Sequence, residues 1–255
     1  MKIQYASDLH LELSDNSRLF SHGIPLQAVG DVLILAGDCM YLNKDTTCKK
    51  FWQWAAENFQ RVLIVPGNHE FYKLGDVAKN GDSWHHYILP NVSYHQNEVV
   101  RIGDTDFILS TLWSYIAGQQ ENDIFYGMND FRQIRYNKSQ FTTDDVIEEH
   151  MKAISFIKKS VAESDAEHKV VVTHHLPTFK VVAPRHKDSP LSSAFATELK
   201  EYIEDSGIDL WIYGHSHTNI DTTIGNTRII CNQFGYVSHE EHLHGFDGGK
   251  YIELR

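Results

Sequence analysis

The apolar positions of this chain fall into short runs that stop abruptly on polar residues. Residues 61–70 show the pattern best. Val62, Leu63, Ile64 and Val65 form an unbroken run rich in β-branched side chains, the mark of a buried strand. Pro66 and Gly67 end it, because proline lacks the ladder donor and glycine admits unusual dihedrals. An amide, an imidazole and a carboxylate then follow at once, at Asn68, His69 and Glu70. Two earlier runs behave alike. Ile3 and Tyr5 alternate with Lys2 and Gln4 before breaking into Ser7-Asp8-Leu9-His10, and residues 31–36 end in Gly37-Asp38. Two later runs repeat the theme: residues 169–173 stop at His174-His175, and residues 208–213 stop at Gly214-His215-Ser216-His217.

Between these strands the period changes to that of helices. Phe51, Trp54, Ala55 and Phe59 are spaced three and four apart, behind a candidate cap at Thr46 or Thr47. Strand, helix and strand joined by short loops read as a βαβ unit, which favours parallel pairing. A second amphipathic helix is expected over 142–161, with Ile147, Met151, Ile154, Ile157 and Val161 on one face behind a Thr-Thr-Asp-Asp start. A third is expected over 192–206, with Phe195, Leu199, Tyr202 and Ile203 inward and Gly207 as its stop. Runs at 97–102 and 106–111 flank Gly103-Asp104 and read as an antiparallel hairpin. Residues 227–231 and 250–254 are further strand candidates. Residues 113–141 are polar and aromatic-laced without a period, a cap-like insertion in a single domain spanning 1–255.

Composition narrows the partners. A chain of 255 residues, 42% hydrophobic and 22% charged, suits one globular domain with a large core. The net charge of -11 repels polyanions, which argues against nucleic acid as a partner. A phosphorylated substrate would need local positive charge, and metal ions are its obvious source. Sixteen histidines point the same way. Cys39, Cys48 and Cys231 are odd in number and lack C-x-x-C spacing, so a disulfide framework is not expected and a reducing, cytoplasmic compartment is. The first residues carry no apolar leader, and no run approaches the length of a membrane span.

At the carboxyl ends of successive strands stand Asp8 and His10, Asp38, Asn68 and His69, His174, and His215 and His217. In an open α/β sheet those ends share one edge, where ligands bind. Residues two apart in extended chain point the same way, so each D-x-H or H-x-H pair acts together. Carboxylates, an amide and imidazoles without thiolates form a donor set for two borderline divalent cations.

The order D-x-H, G-D, G-N-H-E, H, G-H-x-H resembles the calcineurin-like metallophosphoesterase superfamily. Its pieces stand here as Asp8-Leu9-His10, Gly37-Asp38, Gly67-Asn68-His69-Glu70, His174 and Gly214-His215-Ser216-His217, spanning residues 8–217. The resemblance implies a four-layer α/β/β/α sandwich with two central mixed β-sheets. It implies hydrolysis of small phosphoric mono- or diesters by a hydroxide activated between two metal ions (Mn, Fe or Zn). It assigns Asp8, His10 and His217 to one metal and Asn68, His174 and His215 to the other, with Asp38 bridging. His69 becomes the acid that meets the leaving alkoxide, and Glu70 the carboxylate expected to hold its tautomer. His175 is expected just behind the ligands and is also a candidate substrate contact. Arg132 and Arg135, in the 113–141 insertion, are candidate phosphate clamps. The loop carrying Lys180, Arg185, His186 and Lys187 reads as a solvated charged loop, and the His- and Glu-rich stretch 238–245 fits no familiar metal spacing. Two other readings are a metal-dependent nuclease, disfavoured by charge, and a non-catalytic scaffold on the same fold, disfavoured because every motif position is filled.

Overall fold

A computed structural model describes residues 1–44 and 48–254. The caps expected at Thr46 or Thr47 lie outside the described residues.

Two six-stranded mixed sheets form the centre. The first takes β1 (Lys2–Ala6), β2 (Val32–Leu35), β3 (Arg61–Ile64), β4 (Trp84–Leu89) and β5 (Val92–Gln96). Here β1, β2, β3 and β5 run parallel in that spatial order, and β4 pairs antiparallel with β5. The chain then crosses to the second sheet through the hairpin β6 (Glu98–Ile102) and β7 (Thr105–Ser110), turning at Gly103 as its spacing predicts. A two-stranded ribbon, β8 (Arg135–Tyr136) and β9 (Ser139–Gln140), lies in the 113–141 segment. The second sheet continues with β10 (His168–Thr173), β11 (Leu210–Ile212), β12 (Thr222–Ile224) and β13 (Thr227–Ile230). Its β7, β10, β11 and β13 are parallel, with β6 and β12 antiparallel at the edges. The last strand, β14 (Tyr251–Glu253), returns to the first sheet antiparallel to β1.

The alternation of side chains along each strand produces the layers. Val32 and Ile34 face inward with Val170 and Val172, in a core between the two sheets. Leu33 and Leu35 point the other way, onto α1 (Ser14–His22) and α2 (Lys49–Asn58) through Phe20, Phe51, Trp52 and Ala55. Val171 and Trp211 likewise leave the inner core for α5 (Thr143–Glu163), which presents Ala153, Ile157 and Val161. Strands buried on both faces need apolar residues at every position, which is why they read as unbroken runs. The result is the expected α/β/β/α sandwich.

Several elements depart from the expected detail. Helix α5 begins with a capping box between Thr142 and Asp145, yet its buried stripe is Val146, His150, Ala153, Ile157 and Val161, and Met151 is 55% exposed. A stripe displaced by one residue turns through about 100° of the helix circumference, so aliphatic character alone misplaced the face. The helix expected over 192–206 is two short ones, α6 (Ser192–Phe195) and α7 (Lys200–Asp205). Ala196 leaves the helix to bridge Leu176, and Gly207 stops the second piece at φ +69°. Residues 113–141 contain α3 (Glu121–Gly127) and α4 (Asp130–Gln133), and Trp113, Phe131 and Phe141 join the core behind the first sheet. Among the described residues, no helix is long and apolar enough to cross a membrane.

Candidate metal centre

The carboxyl ends of β1, β2 and β3 meet those of β10 and β11. The loops are tied together by backbone: Asp8 N–H donates to Gly37 O at 2.9 Å, His10 N–H to Asp38 O at 2.9 Å, and Gly214 N–H to His174 O at 3.0 Å. Close approach needs missing side chains. A Cβ on Gly67 would stand 2.2 Å from Asp38 Oδ1, and one on Gly37 would stand 2.3 Å from His174 Nδ1. Asp8, His10, Asp38, His215 and His217 all have φ between +47° and +76°, a region that non-glycine residues rarely adopt. Such strain gathers where the surrounding structure holds a side chain for chemistry.

Among the described residues, three groups of donor atoms converge within 4.8 Å: Asp8, His10 and His217; His10, Asp38 and His69; and Asp38, His174 and His215. Asn68 adds an oxygen 3.2 Å from His174 Nε2. Its amide is oriented by Asp130, whose carboxylate accepts from Asn68 Nδ2 at 2.9 Å and from the Tyr72 hydroxyl at 2.7 Å.

The far nitrogens of the imidazoles are clamped. Ala36 O lies 2.9 Å from His174 Nδ1, Glu241 Oε2 lies 2.7 Å from His217 Nδ1, and Glu12 Oε1 lies 3.0 Å from His10 Nδ1. Acceptors at those positions put the hydrogen on Nδ1 and leave the Nε2 lone pairs facing inward. His10 Nε2 and His217 Nε2 are then 3.0 Å apart, and His174 Nε2 lies 3.1 Å from His215 Nδ1. Lone pairs so placed repel unless a cation or proton lies between them. His215 Nε2 is buried with no hydrogen-bond partner among the described residues. These donors fit a cation.

The field at the site is strongly negative. Burial works against a charged His174, but the Asp38 carboxylate beside it raises its pKa to about 9. Burial likewise opposes a charged His217, yet Asp8 and Glu241 raise it to about 10. His215, buried and facing His175 and His174, goes the other way, well below the ordinary imidazole range. A pocket that pulls protons onto buried imidazoles is also one that attracts divalent metal.

His69 stands at the mouth. Its ring stacks on Tyr72 with centroids 4.2 Å apart, and its side chain is 13% exposed. Burial would lower its pKa, but Asp38, Glu12 and Asp130 together raise it above the ordinary value. Its orienting partner is not Glu70 but Glu12, whose Oε1 lies 2.8 Å from His69 Nδ1. Glu70 instead accepts backbone N–H groups of Gly67 at 2.7 Å, Asp38 at 2.9 Å and Cys39 at 2.8 Å. It binds the β2 loop to the β3 loop and is buried there with a pKa pushed up to about 7 by desolvation and Asp38.

Other expectations also shift. Arg132 bonds back to Met128 O and Tyr126 O at the surface, and Arg135 Nη1 bonds Ile134 O at 3.2 Å, so neither lines the cleft. Arg185 and His186, expected in a solvated loop, do line it, with Met128, Asn129, Phe195 and Tyr236. His175 is buried behind the centre, its ring 4.3 Å from that of His215. The stretch 238–245 supplies no metal cluster of its own among the described residues, but its Glu241 clamps His217.

The sequence model of the calcineurin-like phosphoesterase family matches residues 1–219. The chain belongs to that family, which makes it a metal-binding phosphoester hydrolase in class. It is similar to an uncharacterized protein of Acanthamoeba polyphaga mimivirus, 29% identical over 277 residues that cover 99% of this chain and 96% of that protein. It is also similar to the crystal structure of phosphopantetheinyl hydrolase (PptH) from Mycobacterium tuberculosis. The TM-score is 0.68 at 16% identity, over 100% of this chain and 96% of that one, a likeness of fold.

Proposed function

We propose that this protein hydrolyses small phosphoric mono- or diesters with two divalent metal ions held on either side of Asp38. Asp8, His10 and His217 would hold one ion and Asn68, His174 and His215 the other, with Asp38 available to both. The observation that carries this reading is the orientation of the Asp38 carboxylate, with Oδ2 3.7 Å from His10 Nε2 and Oδ1 3.4 Å from His174 Nε2. When bound, two such ions lower the pKa of a water and neutralise phosphoryl charge. The donor set of imidazoles, carboxylates and one amide suits Mn, Fe or Zn.

The protein's own residues do the rest. His69 has Nδ1 held by Glu12, and its Nε2, 3.5 Å from the Tyr236 hydroxyl, is the atom that gives a proton to the departing alkoxide. Arg185 lines the same cleft and is placed to meet phosphoryl oxygens, offsetting the chain's net charge of -11. Buried thiols at Cys39 and Cys231 suit a cytoplasmic setting.

The test strips metal, restores Mn²⁺ and follows hydrolysis of bis-p-nitrophenyl phosphate beside p-nitrophenyl phosphate, with Asp38→Asn as control. Metal-dependent turnover lost in the control is expected. A diester preference directs attention to small diesters, and a monoester preference to phosphorylated metabolites. No metal-dependent turnover of either ester would return the protein to the scaffold reading.

A further inference from the structure

Beside the metal centre lies a second cavity of about 270 Å³. It shares His186, Phe195 and Ser216 with the cleft over Asp38 and His69, so the two spaces adjoin at those residues. Ser216 sits between His215 and His217, which puts one wall of the cavity against the loop that carries those histidines. An apolar cavity of roughly 150 Å³ already admits benzene, so this one has room for a substantial organic group.

Leu176, Val182, Ala183 and Leu191 make its walls mainly apolar, beside Phe195, His186 and three serines. Phe195 already lays its ring against His215, with centroids 4.7 Å apart, and His186 Nε2 already accepts from Arg185 Nε at 3.0 Å. Each hydroxyl on the wall already accepts a hydrogen bond. Ser192 Oγ is 3.2 Å from Gln120 Nε2, Ser189 Oγ accepts from Leu191 N–H at 3.2 Å, and Ser216 Oγ is 3.1 Å from Gln233 Nε2. A nucleobase or sugar edge would find few groups left to read it. An alkyl chain needs none.

We infer that this cavity takes an aliphatic arm of the substrate, so that the ester hydrolysed here joins phosphate to an alkyl-chain alcohol. This rests on the phosphoesterase reading above. The phosphate lies over Asp38, and the arm turns past Phe195 between Leu176 and the loop bearing Val182 and Ala183.

The Mn²⁺-loaded enzyme is assayed on p-nitrophenyl alkyl phosphates and, by phosphate release, on alkyl monophosphates, each from methyl to decyl. Expected is a rise in kcat/KM of roughly two- to fourfold per added methylene, followed by a plateau once the cavity is full. Ala183→Phe shortens the chain length at which the plateau begins, and Leu191→Ala lengthens it. The second variant keeps the test decisive if the first fails to fold. Turnover that does not vary with chain length, or a plateau that neither variant moves, overturns this inference and leaves the phosphoesterase reading standing. Absence of turnover with every member of both series overturns both.

Discussion

Glu12 and His69 are joined Oε1 to Nδ1 at 2.8 Å, and the same carboxylate oxygen lies 3.0 Å from His10 Nδ1. One buried acid therefore orients both His10, proposed as a metal ligand, and the imidazole proposed to donate the proton.

Replacing Glu12 by Gln keeps the shape and removes the charge. We expect kcat/KM to fall roughly 10- to 100-fold, the usual effect of losing a partner behind a ligand. The pH profile moves too. The proposed acid role requires a protonated His69, so activity is expected to fall as pH rises through its pKa, which sits above the ordinary value partly through Glu12. Without that charge the pKa falls and the alkaline limb shifts to lower pH. A profile unchanged in height and position would remove Glu12 from the mechanism.

His69→Asn should keep the metal content of the wild type while turnover drops by about 10²–10⁴-fold on alkyl esters. The loss should shrink for p-nitrophenyl esters, whose leaving group needs no proton. Equal losses on both classes would contradict the acid role.

Chelation should lower stability. Ions that bind only the folded chain add about 2.7 kcal/mol at a hundredfold excess over their dissociation constant. For a protein of this size that corresponds to roughly 5–10 °C in Tm. Calorimetry with and without chelator, followed by Mn²⁺ repletion, measures it, and a Tm indifferent to metal would speak against the site.

Gly67→Ala tests the packing of the centre. The added methyl would stand 2.2 Å from Asp38 Oδ1 and 2.8 Å from His174 Cε1, so one or both must move. Displacements near 1 Å at a reacting centre cost about 100-fold, and we expect that loss or more with far-ultraviolet circular dichroism preserved. Wild-type activity in this variant would show that the loop tolerates what its geometry forbids.

The strand ends were legible because each buried run stops at glycine, proline or a polar residue, and β1, β2, β3, β10 and β11 all deliver their motifs to one edge. The partners of those motifs were harder to see. Glu12 follows His10 by two residues in a loop without periodicity, and only the D-L-H-L-E spacing hinted that it could turn back to the same site. Glu241 lay inside a stretch whose ligand spacing matched nothing, because its carboxylate meets His217 Nδ1 and not the groups of donor atoms around Asp38. Asp130 reaches Asn68 from 62 residues away, a contact that depends on how 113–141 folds onto the first sheet. Arginines 132 and 135 drew attention by charge alone, whereas Arg185 reaches the cleft because the loop after Leu176 runs along its rim.

Asp8, His10, Asp38, His215 and His217 occupy left-handed backbone conformations, each disfavoured by about 1–3 kcal/mol for residues other than glycine. The centre is thus built against the conformational preference of its own residues, and stability and turnover pull these five positions in opposite directions. A library screened for heat resistance alone, with chelator present, will drift toward glycine or asparagine there. The most robust clones from such a screen should be the least active ones, and their sequences would map the centre without any assay of its chemistry.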